Sequence, residues 1–180
     1  MAFKRSSEII TISGQFKNNS SGFQAQEFDL QLNPLDQEVF VVLSVTLDFM
    51  SPMPVPAFGI VPSSFSTLSY PAALSTTRPL AQLDISDSNV FGYARQDVTI
   101  GTDAAGSPTT YTIYEQSSDV PDTNLDYIAI IATDSYFLGT TDDANAPISS
   151  NDVAFRIYGY RAKADAATYA ALVQSEVLSA

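Results

Sequence analysis

Apolar and polar positions alternate along most of this chain in short runs rich in Val, Ile, Tyr, Phe and Thr. Clusters of Gly, Pro, Asn, Asp and Ser separate the runs. That is the pattern of an all-β sandwich or barrel. Seven segments read as strands: Glu8–Phe16, Glu27–Leu32, Glu38–Met50, Asn89–Ile100, Thr110–Glu115, Leu125–Thr133 and Asp152–Lys163. Phe65–Tyr70 and Leu80–Ile85 are weaker candidates, for a total of about eight or nine strands. In Glu27–Leu32, Phe28, Leu30 and Leu32 share one face and Asp29 and Gln31 the other, as in a half-buried strand. The early part of Glu38–Met50 (EVFVV) is apolar on both faces, which predicts a central strand packed on two sides.

The connections differ in kind. Gly101–Pro108 (GTDAAGSP) reads as a hairpin turn, and Asp134–Asn151 as a long polar loop. Ser51–Ser64 carries Pro52, Pro54, Pro56 and Pro62, which remove ladder donors and predict an extended surface excursion. Long links between strands suit Greek-key crossings better than a simple meander. Only the tail, 165–179, has helical spacing. Tyr169, Leu172, Val173 and Val177 would share its apolar face as a cap over the barrel end, behind Asp165 as N-cap or first-turn acid. The 180 residues read as one domain with an N-terminal arm, Met1–Ser7.

Composition narrows the chemistry. There are 20 acidic residues against 8 basic ones, a net charge of −12; 15 of the acids are Asp, and only Lys4, Lys17 and Lys163 are lysines. Such a balance argues against direct nucleic-acid binding, which needs clustered cations to displace counterions. It predicts a surface adapted to salt: at molar salt the Debye length is about 3 Å, so self-repulsion is screened and compact, hydrated Asp suits the surface better than Lys. His, Cys and Trp are absent. No Ser-His-Asp triad, Cys nucleophile, disulfide or Cys-based metal site can be built. No apolar run of signal-peptide length follows Lys4 and Arg5, so secretion is not indicated.

Paired carboxylates remain possible, as in glycoside hydrolysis. However, no two of the 5 Glu residues stand two apart on one strand face. Oxygen-ligand cation binding has two weak candidates, Asp84 with Asp87 (DISDSN) and Asp142 with Asp143 (DDAN). Neither segment has the glycine and terminal Glu of an EF-hand loop, and turn formation is the commoner use of such residues. We therefore expect no catalytic residues, no cofactor and a function carried by contact surfaces. On Asp152–Lys163, Arg156, Tyr158 and Tyr160 fall on the face opposite Phe155, Ile157 and Gly159. They could meet a partner or cover a second layer of this domain, and Arg156 and Arg161 should pair with carboxylates.

In size and pattern the whole chain resembles a viral single jelly-roll capsid protein: the long strand Glu38–Met50, the Pro-rich excursion Ser51–Ser64 and the strong last strand Asp152–Lys163 carry the likeness. The Asp-rich, Lys-poor balance resembles in particular the smaller major capsid protein of membrane-containing icosahedral viruses of haloarchaea. The resemblance implies a vertical single β-barrel that assembles, in the host cytoplasm, with copies of itself and a second, larger capsid protein. Their pseudo-hexameric capsomers would tile a virion shell over an internal membrane, with Lys4 and Arg5 as candidates for the membrane-facing end. Interface candidates are Tyr158, Tyr160 and Arg156, with Met53 and Phe58 in the Pro-rich excursion. The alternative is a secreted or cell-surface β-sandwich module, carbohydrate-binding or adhesin-like, stabilised by Ca²⁺ at one of the Asp clusters.

Overall fold

Strand pairing in this protein nests from the outside in. The computed structural model describes residues 3–18, 22–50, 63–106, 108–117, 126–142 and 151–178. Among these, the strands are β1 (Phe3–Arg5), β2 (Ile10–Asn18), β3 (Gly22–Asp29), β4 (Glu38–Phe49) and β5 (Ser64–Ser75). They continue with β6 (Val90–Thr102), β7 (Pro108–Ser117), β8 (Ala129–Ile131), β9 (Ser135–Asp142) and β10 (Asn151–Ala164), and the chain closes on the helix α1 (Ala166–Leu178). β2 pairs with β10, β3 with β9, β4 with β8 and β5 with β6, all antiparallel. One long hairpin rolled onto itself gives this nesting, which is the double Greek key of a jelly roll. The first sheet runs β8–β4–β10, with β1 and β2 end to end along the far edge of β10; the second runs β3–β9–β5–β6–β7.

The inward faces meet in one core. Phe40, Val42, Val45, Leu47, Val153, Phe155 and Ile157 of the first sheet pack with Ala72, Leu74, Ala94, Tyr136 and Leu138 of the second. Phe28, Tyr136 and Phe155 form an aromatic cluster at its centre, with centroids 4.8 to 5.8 Å apart in stacked and edge-on pairs. Gly14 lies opposite Phe155 because a Cβ there would stand 2.6 Å from the ring. A β-bulge divides β4: Tyr158 pairs with Ser44 but Gly159 with Val42, leaving Leu43 unopposed. The extra residue keeps both Phe40 and Val45 facing the core across the break.

The apolar-on-both-faces reading of β4 is borne out. Val39 and Val41 are buried on the outer face of the first sheet, together with Ala162 and Ala164, under Tyr169, Leu172 and Val173 of α1. Burying each such valine stabilises the fold by roughly 1.5–3 kcal/mol, which is what holds the helix down. Val177, expected on the same stripe, is 64% exposed, and Glu176 takes the buried position instead at 6%.

Four other expectations are corrected. Asp134–Asn151 is not simply a loop, because Ser135–Asp142 is β9, an interior strand of the second sheet with Tyr136, Phe137 and Leu138 buried. Its polar look comes from Gly139, which leaves room for the Phe23 ring, and from Thr140, a buried residue whose hydroxyl donates to the Pro71 carbonyl at 2.9 Å. Leu80–Ile85 is not a strand; it belongs to the β5–β6 connection, which lies on the outer face of the second sheet through Pro79 and a Thr141–Gln82 hydrogen bond. β3 ends at Asp29, before Leu30 and Leu32, because Gln31 takes a left-handed backbone (φ 53°); both leucines are nevertheless buried. Finally, the expected N-terminal arm is in part a strand, Phe3–Arg5, paired with Ala164–Ala162 of β10.

Candidate contact surfaces

The outer face of the first sheet splits at the β4 bulge. One half lies under α1; the other is bare and polar. On the bare half, the strand register sets Thr11, Tyr158 and Ser44 in one row, Ser13, Arg156 and Thr46 in the next, and Gln15, Ala154 and Asp48 in a third. Ala154 is short, so the surface dips between its neighbours into an open groove of about 590 Å³ lined by Ser13, Gln15, Thr46, Asp48 and Arg156. Arg156 donates to the Tyr158 hydroxyl at 3.4 Å, and among the described residues no carboxylate lies within 4.0 Å of its guanidinium. Gln15 reaches across to the Asp152 carboxylate at 3.3 Å.

Tyr160, on the same face of β10, does not belong to this groove. It packs with the residues under α1, and the Arg5 guanidinium sits 4.9 Å from its ring centroid. Tyr160 therefore covers a second layer of its own domain, while Arg156 and Tyr158 border solvent. Arg161 is paired as expected. It donates to the carbonyls of Leu30 (2.9 Å) and Gln31 (3.1 Å) and to the Glu38 carboxylate (3.2 Å), fastening the β3–β4 link to the sandwich. Met53, Phe58 and Asp143 lie outside the described residues, as does the side chain of Asp142.

Asp84 and Asp87 serve the turn that carries them. Asp84 accepts from the Ser86 amide (2.7 Å) and hydroxyl, and Asp87 accepts from the Asp84 amide (2.8 Å). The Ser86 bonds hold the Asp84 carboxyl below its ordinary pKa. Among the described residues no three His, Cys, Asp or Glu side chains gather to hold a metal ion. The basic residues at the N-terminal end are interleaved with acids: Arg5 pairs with Glu8 at 3.3 Å and Lys163, opposite Lys4 in register, with Asp36 at 3.2 Å.

A second surface was not anticipated. β9 reaches β5 only at Ala72–Ser75, so the rest of β5, together with β6 and β7, forms a three-stranded ribbon extending past the pairing with β9. Phe65 is 68% exposed, Ile113 47% and Tyr114 63%. The sequence gives no sign that Phe65 and Tyr114 face outward, since both stand in runs that look like ordinary strand cores. The groove was partly readable: Thr46 and Asp48 alternate with Val45 and Leu47, but nothing along the chain shows that β2 and β4 flank β10.

No protein-family model matches this chain. Nor does any curated protein. The surfaces described above therefore carry the functional reading by themselves.

Proposed function

We propose that this chain is a viral structural protein: a jelly-roll capsid subunit that assembles with copies of itself and a second, larger capsid protein into the capsomers of an icosahedral shell over an internal membrane. The observation that carries the reading is the nested strand pairing of the jelly roll, an architecture used by capsid and lectin domains. The composition supports it from a second side, because a −12 chain with 3 lysines suits a surface that assembles in salt. In this reading the work is done by lateral contacts, with apolar strand flanks supplying area and the paired charges at the end of the first sheet fixing register. The test is sedimentation of the native protein from its source in molar KCl. It is expected in capsomer-sized or particle-sized complexes with a larger β-rich partner; a lone monomer would refute it.

The groove on the first sheet favours a second reading, a carbohydrate-binding sandwich module. Arg156 can donate to ring hydroxyls and Asp48 can accept from them, with Thr46 and Ser13 beside them, in a volume that suits a small ligand. Saccharide binding by the isolated chain, lost in Arg156→Ala and Asp48→Ala, would support the module; its absence together with a second coat protein would dismiss it.

A further inference from the structure

The edge of the second sheet carries an inference of its own. β7 is the last strand of that sheet, paired with β6 from Thr110↔Gly101 to Ser117↔Ala94, and among the described residues no strand pairs with its other side. Thr112, Ile113 and Tyr114 are consecutive and all exposed, so the middle of the strand is open on both faces as well as along its edge. An unpaired edge is a template for another strand, and proteins that must stay apart block it with lysines, bulges, brevity or a covering loop. Among the described residues none of these is present mid-strand: β7 is 10 residues long, its one charged residue is Glu115, and the bulge in its ladder lies back at the hairpin, between Gly101 and Thr102.

Charge indicates the occupant. Two copies of a −12 chain repel over most of their surface, so they meet at least cost where charge is sparse. The outer face of the ribbon is such a place. Its register rows are Phe65–Gly101, Thr67–Thr99–Thr112 and Ser69–Asp97–Tyr114, and Asp97 is already paired with Arg95 at 2.8 Å. An antiparallel edge is also self-complementary, because a two-fold axis brings each donor on one copy to an acceptor on the other.

We propose that two copies of this chain associate through β7, strand against antiparallel strand about a two-fold axis, joining two five-stranded sheets into one continuous sheet. Ten facing residues supply about ten main-chain hydrogen bonds, and Tyr114 and Ile113 gain cross-strand neighbours on either face of the joined sheet. The proposal rests on this edge and not on the capsid reading, so a failure to co-assemble with a larger coat protein leaves it standing.

Sedimentation equilibrium of the full chain, from about 10 µM to about 500 µM in dilute buffer and in about 2 M KCl, reads the outcome. The expected mass is twice the 19.4 kDa of one chain, with tighter association in salt. Thr112→Lys and Tyr114→Lys place like charges across the two-fold and should weaken the dimer by about tenfold or more, with an unchanged melting temperature at dilutions where the parent is monomeric, because both sites are exposed. Hydrogen exchange on the unaltered protein guards against variants that fail to fold: the β7 amides should become protected as concentration rises. A chain that stays monomeric throughout overturns the proposal, and so does a dimer whose β7 amides remain unprotected.

Discussion

Glu176 is the group through which the helix and the barrel depend on each other most directly. Its carboxylate, on the buried side of α1, accepts the backbone N–H of Ala132 at 2.9 Å and of Thr133 at 3.0 Å, where the chain turns from β8 into β9. Glu176→Ala removes both acceptors. The Ala132 amide is buried, and a buried donor without an acceptor costs about 1–3 kcal/mol. The Thr133 amide is half-buried and recovers part of its loss from water, since Glu176 borders a cleft of about 210 Å³ beside Phe91, Ile128 and Ser175. Releasing a desolvated carboxylate offsets some of the remainder. The net expectation is a loss of about 2 kcal/mol, or a fall in Tm of about 4–8 °C for a domain of this size.

The pH dependence sharpens the test. Burial raises the Glu176 pKa above its ordinary value, and the hydrogen bonds from Ala132 and Thr133 pull against that without cancelling it. The folded state therefore holds this proton more tightly than the unfolded chain. The associated stability is full below the ordinary glutamate range and is lost as pH rises through the raised pKa. Glu176→Gln keeps one oxygen acceptor and cannot titrate, so its cost relative to the parent should be larger near pH 4 than near pH 7. Urea denaturation at both pH values, followed by far-UV circular dichroism, measures it. A Glu176→Ala variant within about 0.5 kcal/mol of the parent, or a glutamine cost that grows with pH, would refute the reasoning.

Three further outcomes are expected. Gly159→Ala places a Cβ against the Val41 carbonyl oxygen and 2.6 Å from the Phe40 ring, which is 1% exposed and has nowhere to go, so it should cost about 2–3 kcal/mol in urea denaturation. Asp165 accepts the Thr168 amide and hydroxyl, each at 2.9 Å, and those bonds lower its pKa. Asp165→Ala should lower Tm modestly at neutral pH, and the difference should fade as acid protonates Asp165 in the parent through its lowered pKa. Tm should also rise steeply from dilute buffer to molar KCl, because the net charge of −12 is then screened; a flat response would remove salt adaptation as the account of the acids.

What could be read along the chain was whatever one strand's own neighbours decide. The two-sided apolar run Val39–Val42 announced a strand covered on both faces, and the Ala-spaced tail announced a helix, which covers the outer face of the first sheet instead of the barrel end where it was expected. The β6–β7 hairpin was legible for the same reason, as alternating runs divided by the turn Gly101–Pro108, whereas the direct β5–β6 pairing was hidden by Leu80–Ile85, which reads as a strand between them. What could not be read depended on a residue brought in from elsewhere. β9 looks polar because Gly139 yields its space to Phe23 and Thr140 satisfies its hydroxyl at Pro71, and neither partner is visible from Ser135–Asp142 alone. Nothing in the tail itself shows that Glu176 is buried, because the two N–H groups it accepts belong to residues 132 and 133. Interface candidates suffered in the same way: Tyr160 had the right parity for a partner, yet α1 and Arg5 already occupy its face.

The bulge at Leu43 links these observations. On the Val39–Val42 side, β4 presents apolar residues outward and needs a cover, which α1 supplies through Tyr169, Leu172 and Val173. Past the bulge the outward residues become Ser44, Thr46 and Asp48, which are content in water. One sheet face thus has a half that the chain satisfies by itself and a half that needs nothing. It follows that the strongest pull toward another molecule does not come from the first sheet at all. It comes from the second sheet, where the ribbon of β5, β6 and β7 outruns its neighbour β9 and leaves Phe65, Ile113 and Tyr114 in solvent. In a protein with so much repulsive charge, a sparsely charged strand edge that no described residue covers is the place where association costs least, whatever larger structure the chain then enters.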